Sequence, residues 1–169
     1  MLWTTNVGLG YSETVSGNGF IYTWGMNTTT GSNIVFCLDP QTGRTVWQNG
    51  YPWVARYGGQ AGLHDGPCAT LTLDGGKIYA MDRESTLYCY DQATGTELWH
   101  RDIVQELGFQ CLQSERGETS SPVIEGNLIL FCFGDAGAAL DKNNGSKVWA
   151  SPGVADQAAF PTAYIYTSG

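Results

Sequence analysis

The sequence predicts an all-β protein made of the four-stranded blades of a β-propeller. Two observations carry this. A ten-residue segment recurs three times at a spacing of about fifty residues, and three short apolar runs with glycine-rich turns precede each copy. The copies are Leu38-Asp39-Pro40-Gln41-Thr42-Gly43-Arg44-Thr45-Val46-Trp47, Tyr90-Asp91-Gln92-Ala93-Thr94-Gly95-Thr96-Glu97-Leu98-Trp99 and Leu140-Asp141-Lys142-Asn143-Asn144-Gly145-Ser146-Lys147-Val148-Trp149. Each reads apolar-Asp-x-x-(Thr/Asn)-Gly-x-x-(Val/Leu)-Trp, and the aspartates stand 52 and 50 residues apart.

The chemistry of the segment is that of a hairpin. Aspartate bonds the backbone amides that follow it and so starts a turn, and glycine supplies the positive φ needed to leave it. The apolar-Trp pair opens the next strand. The structural repeat positions are therefore Asp39, Gly43, Trp47, Asp91, Gly95, Trp99, Asp141, Gly145 and Trp149. Ahead of the hairpins, strands are expected at 13–16, 20–24 and 34–38 in the first unit. The middle unit offers 69–73, 78–82 and 86–90, and the third 122–124, 128–133 and 137–140. Gly17-Asn18-Gly19, Asp74-Gly75-Gly76 and Glu125-Gly126-Asn127 are the matching turns between the first two strands of each unit.

This register gives blades at roughly 12–49, 68–102 and 119–151. Leu2-Trp3 then closes a preceding blade (1–8), and 158–169, with 160–167 as a strand, opens a following one. Three whole blades fall short of the four a closed propeller needs, so the chain is expected to be a fragment of a longer protein. A fragment with bare blade faces is expected to self-associate. Trp99, flanked by blades, is expected to be buried at an interface, and Trp3 to be more exposed.

Composition narrows the function. Of 169 residues, 16 are acidic and 8 basic, giving a net charge of −8, which disfavours nucleic acid because no basic stripe is present to displace counterions. No apolar run approaches a membrane span, and the first residues carry no signal-peptide pattern. Five cysteines occur without a Cys-x-x-Cys pair, so the common zinc and redox spacings are absent. Cys37 and Cys89 occupy equivalent strand positions and read as small core fillers, and a Cys68–Cys111 bridge is the weaker alternative. Asp141-Lys142-Asn143-Asn144-Gly145 departs from a calcium loop at its fifth and sixth places and reads as a turn. Asn27-Thr28-Thr29 matches a glycosylation sequon, which matters only in a eukaryotic secretory protein.

The repeated hairpin, with first strands of the type Ser121-Pro122-Val123-Ile124-Glu125-Gly126, resembles pyrrolo-quinoline-quinone-like (PQQ-like) repeats. These occur in quinoprotein alcohol dehydrogenases and in outer-membrane protein assembly lipoproteins. The resemblance covers essentially the whole chain. It implies that the Trp and Gly of each hairpin dock against the neighbouring blade, that the intact propeller has roughly seven or eight blades, and that the protein is periplasmic or extracellular. WD40 repeats are shorter and require a Trp-Asp pair that is absent here.

The family name suggests a quinone held with calcium beneath an adjacent Cys-Cys disulfide, but Cys37, Cys68, Cys89, Cys111 and Cys132 are never adjacent. Neither PQQ nor calcium is therefore expected, nor any catalytic or metal-ligating residue. Candidate ligand-binding residues lie in two long inter-blade connections: Trp53, Arg56, His64 and Asp65 in the first, Glu115, Arg116 and Glu118 in the second. His64-Asp65 is a possible base with its partner, but adjacent side chains seldom face each other, and a hydrogen-bonded surface loop is the plainer reading. The expected function is a non-catalytic binding or scaffold module of a bacterial envelope or secreted protein. It would meet a protein or small polar ligand on its loop face. The alternative is part of a quinone-dependent dehydrogenase.

Overall fold

The computed structural model describes residues 2–56, 66–108, 120–133, 136–151 and 162–166. Its strands form three four-stranded antiparallel sheets, each in chain order. The first holds β1 (Val15–Gly17), β2 (Phe20–Asn27), β3 (Ser32–Leu38) and β4 (Thr45–Pro52). The second holds β5 (Thr72–Asp74), β6 (Lys77–Met81), β7 (Thr86–Asp91) and β8 (Glu97–Asp102), and the chain then forms a short helix, α1 (Ile103–Leu107). The third holds β9 (Val123–Glu125), β10 (Leu128–Phe133), β11 (Ala136–Asp141) and β12 (Lys147–Ala150). These are PQQ-like propeller blades, and every expected strand of the three units is present within a few residues. Of the expected strand 160–167 only 162–166 are described, and they are not in a sheet; Trp3 lies outside the three sheets but docks on blade one as the later hairpin tryptophans dock on theirs.

The middle blade shows why the sheets stack. Its strands are apolar at consecutive positions, which suits a sheet covered on both faces. Alternation sends Ile78, Ala80, Tyr88 and Tyr90 towards blade one, where they join Tyr22, Trp24, Val35, Cys37 and Leu71. It sends Tyr79, Met81, Leu87 and Cys89 towards blade three, where they meet Ile129, Phe131, Ala138 and Leu140. The helix adds Ile103, Val104 and Leu107 to that second core, which explains an element the strand periodicity gave no hint of.

At the repeated hairpins, Asp39 Oδ1 accepts the amides of Gln41 (2.9 Å) and Thr42 (2.8 Å) and the Thr42 hydroxyl (2.9 Å). Asp91 makes the same set with Ala93 and Thr94. Asp141 accepts from Asn143 (2.7 Å), and Asn144 completes that turn through Ser146 N (2.8 Å). The hydroxyl and amide donors hold the Asp39 and Asp91 carboxyls below the usual aspartate range. Gly43, Gly95 and Gly145 leave the turns at φ 69°, 72° and 73°. Each is buried because a tryptophan from the preceding unit covers it: Trp3 lies on Gly43, Trp47 on Gly95 and Trp99 on Gly145.

The indole nitrogens extend the contact. Trp3 Nε1 donates to Pro40 O (2.9 Å) and Trp47 Nε1 to Gln92 O (3.3 Å), in each case the residue after the hairpin aspartate. At the next seam Tyr79 donates to the equivalent carbonyl, Lys142 O (3.1 Å), and Trp99 Nε1 has no partner among the described residues. Trp3 and Trp99 are both half-buried, because each docks on a glycine that lies ahead of it in sequence. The tryptophan left open, 44% exposed, is Trp149, which rests over Gly137 of its own blade.

Gly95 and Gly126 separate docking from backbone strain. Both have positive φ, but a methyl at Gly126 meets open space and one at Gly95 meets the Trp47 ring. Gly126→Ala is expected to cost about 1–2 kcal/mol from the left-handed backbone alone. Gly95→Ala is expected to cost a further ~1–3 kcal/mol of overpacking. Urea melts compared by midpoint at unchanged slope measure both. Equal losses would show that the tryptophan does not bear on the glycine.

Candidate binding site

Antiparallel order places the Asp hairpins at one end of the blades and the long inter-blade connections at the other. At that second end, residues 53–56 run as a strap from blade one to blade two. Trp53 N donates to Gly31 O (2.8 Å) on blade one, and Arg56 N donates to Glu84 Oε2 (2.7 Å) on blade two. The Arg56 guanidinium then donates to Asp102 Oδ2 through Nη1 (2.9 Å) and to Thr86 Oγ1 through Nη2.

Beneath the strap lies a turn of four polar residues, Asp82-Arg83-Glu84-Ser85, all at most 4% exposed. Asp82 Oδ1 accepts Thr86 N (2.7 Å), and its main-chain oxygen accepts Ser85 N (3.1 Å). Asp82 Oδ2 accepts the Tyr51 hydroxyl (3.0 Å), which accepts in turn from Asn33 Nδ2 (3.2 Å). Tyr51 stacks on Tyr88 with ring centroids 4.0 Å apart, so polar and aromatic contacts cross the same seam. Burial pushes the Asp82 carboxyl up to about 6, against the pull of Thr86 N, the Tyr51 hydroxyl and Arg56. Burial and the Asp82 charge raise the Tyr51 and Tyr88 phenols well above their ordinary range.

Helix α1 borders the site. Asp102 caps it by accepting Gln105 N (3.1 Å), and Gly108, left-handed, closes it on Val104 O (3.0 Å). Glu106 Oε1 accepts Lys147 N (2.9 Å) and ties the helix to blade three. Between strap and helix opens a cleft of about 410 Å³ lined by Arg56, Thr86, His100, Arg101, Asp102, Gln105 and Glu106. Paired donors and acceptors of both charges equip such a cleft for polar ligands or a polar protein surface. Among the described residues no three His, Cys, Asp or Glu side chains converge as a metal site, and no helix is long and apolar enough to cross a membrane.

Of the sequence candidates, Arg56 lines this cleft, while Trp53 is half-buried at the start of the strap. His64, Asp65, Glu115, Arg116 and Glu118 lie outside the described residues, as does Cys111. Tyr51, in the same connection as Arg56, belongs to the site as well, and sequence reasoning gives no sign of Asn33, Asp82 or Glu84. A polar quartet, three of its members charged, has the signature of a solvent-facing turn when it stands between two strands. Only the strap and the helix, which come from elsewhere in the chain, bury it.

Three stacked four-stranded sheets, with Asp-x-x-(Thr/Asn)-Gly hairpins receiving a neighbour's tryptophan, define a PQQ-like propeller-repeat protein. The chain belongs to the family described as outer membrane protein assembly factor BamB, whose model matches residues 28–165. No curated protein sequence matches it. Among solved structures it is similar to a quinohaemoprotein alcohol dehydrogenase from Comamonas testosteroni, with TM-score 0.61 and 21% identity over 85% of this chain and 20% of that one. A europium-containing methanol dehydrogenase gives TM-score 0.62 and 22% identity over 84% of this chain and 24% of that one. BamB from Moraxella catarrhalis gives TM-score 0.50 and 19% identity over 86% and 36%. The chain thus spans between a fifth and about a third of the length of these structures, and the likeness is one of fold.

The raised Asp82 pKa makes stability depend on pH with a definite sign. The fold favours the protonated acid, so this contribution is full below the unfolded value of 3.8 and is lost as pH rises through about 6. A shift of this size corresponds to a loss on the order of 3 kcal/mol. Asp82→Asn, which cannot ionise, is expected to flatten the urea midpoint between about pH 4 and 7 relative to the parent. Parallel profiles for the two proteins would refute the assignment.

Proposed function

We propose that this chain is a non-catalytic binding or scaffold module of a bacterial periplasmic or secreted PQQ-like repeat protein, meeting a protein or small polar ligand on the face that carries the strap. The observation that carries this reading is the use made of the site's carboxylates. Asp82, Glu84 and Asp102 are each engaged by Tyr51, Thr86 or Arg56 in holding the strap across two blades. Such a network yields a rigid surface rather than a base poised over a substrate. The name of the matched family, an assembly factor, points the same way.

On this reading the cleft does not take a calcium-bound quinone: its two carboxylates are already engaged, Asp102 by Arg56 and by the cap of α1, and Glu106 by Lys147 N, rather than left to ligate calcium. Titration of the protein with PQQ, with and without calcium, is expected to leave its melting temperature and the quinone's absorbance unchanged. A saturable shift of both would overturn this reading in favour of a quinone-dependent dehydrogenase.

A further inference from the structure

The blade-one/blade-two seam holds a tyrosine in an unusual hydrogen-bonding position. Tyr51 Oη accepts from Asn33 Nδ2 (3.2 Å) and donates to Asp82 Oδ2 (3.0 Å), with the Tyr88 side chain a further neighbour. Two other interior tyrosines differ. Tyr22 and Tyr79 donate to main-chain carbonyls, Gln92 O and Lys142 O. An amide oxygen is too weak a base to take a phenolic proton, whereas a carboxylate is strong enough once the phenol has lost an electron. A phenol radical cation is a strong acid, so a buried tyrosine is oxidised readily only where its proton has somewhere to go.

We propose that Tyr51 and Asp82 form a redox-active tyrosine site, at which a one-electron oxidant takes an electron from the Tyr51 phenol while the phenolic proton passes to the Asp82 carboxylate. The O–H bond of Tyr51 breaks, an O–H bond forms on Asp82, and the products are a neutral phenoxyl radical, a carboxylic acid and the reduced oxidant. A one-electron donor reverses the step. Tyr88, stacked at 4.0 Å and 17° between ring planes, shares the unpaired spin and leads through His100 (5.4 Å between centroids) towards the surface. Tyr51 is itself half-buried and borders an open groove of about 420 Å³, so an oxidant of the metal-complex class reaches its ring without entering the core. The charged and titratable groups facing Asp82 are Tyr51 from β4, Tyr88 and Tyr90 from β7, Arg56 from the strap and Glu84 from its own turn. Of these Arg56 favours the ionised acceptor, and Glu84 opposes it.

The test is flash-quench oxidation with photogenerated ruthenium(III) tris-bipyridyl, read by transient absorption and electron paramagnetic resonance. The host is the 169-residue protein carrying Tyr11→Phe, Tyr57→Phe, Tyr164→Phe and Tyr166→Phe. This host is expected to give a tyrosyl signal that Tyr51→Phe abolishes. Asp82→Asn is expected to slow its formation roughly a hundredfold, the scale of a positioned proton acceptor. In the host itself the rate is expected to drop as pH falls below about 6, where Asp82 takes up a proton, and to slow in D2O, with circular dichroism checking the fold at each pH. This pH profile decides the matter if Asp82→Asn fails to fold. A radical that survives Tyr51→Phe, or a rate flat across pH, would overturn the proposal.

Discussion

The architecture depends on one contact made repeatedly: an indole ring laid on a glycine of the next unit. The hairpin aspartate shapes a turn that presents a bare Cα and, one residue after the aspartate, an outward carbonyl. The preceding unit supplies a flat ring for the first and an N–H or O–H donor for the second. Glycine is needed twice over, for the left-handed backbone and for the space, and either requirement alone excludes most side chains. Contacts on either side lock the register. Gln92 and Lys142, each one residue after the aspartate, reach back to the first turn of the preceding blade, Gln92 to Asn18 (3.0 Å) and Lys142 to Asp74 (2.8 Å).

The opposite end of the blades follows other rules. There the turn after the second strand differs from blade to blade: Thr28-Thr29-Thr30 is exposed in blade one, while Asp82-Arg83-Glu84-Ser85 is buried in blade two. Burying polar residues is tolerable only when their groups are bonded, and for Asp82 and Glu84 the strap, Tyr51 and Thr86 supply those bonds. The network is therefore coupled to the position of the strap, because Arg56 serves Glu84, Thr86 and Asp102 together. Removing one partner would strand buried groups rather than delete a single contact.

The sequence made the first end legible and the second nearly opaque, for a physical reason. Docking is encoded locally, since Asp39, Thr42, Gly43 and Trp47 lie within nine residues of one another and recur. The polar seam is encoded non-locally. Asn33, Tyr51, Arg56, Asp82 and Asp102 come from three strands, a strap and a turn, and no spacing relates them. Arg56 stands out as a cation in a long connection, whereas Asn33 and Asp82 sit at the edges of ordinary strand patterns. The docking of Trp3 has a non-local side too, since its partner, Gly43, lies forty residues forward in the chain.

The two ends also divide the work of a blade. A propeller of near-identical units needs one invariant joint, and the Asp-Gly-Trp hairpin provides it without recruiting the other end of the strands. Strand alternation separates the two faces, while length separates the two ends: along β7, Leu87 and Cys89 face one core and Tyr88 and Tyr90 the other. Tyr88 takes part in the polar seam through Tyr51, and Tyr90, two residues on, lies in the apolar core behind the Gly95–Trp47 joint. A six-residue strand thus carries a variable site at one end and the repeated joint at the other. Changes to the connections can redefine the exposed face while the joint, three or four residues away along the strand, keeps its geometry.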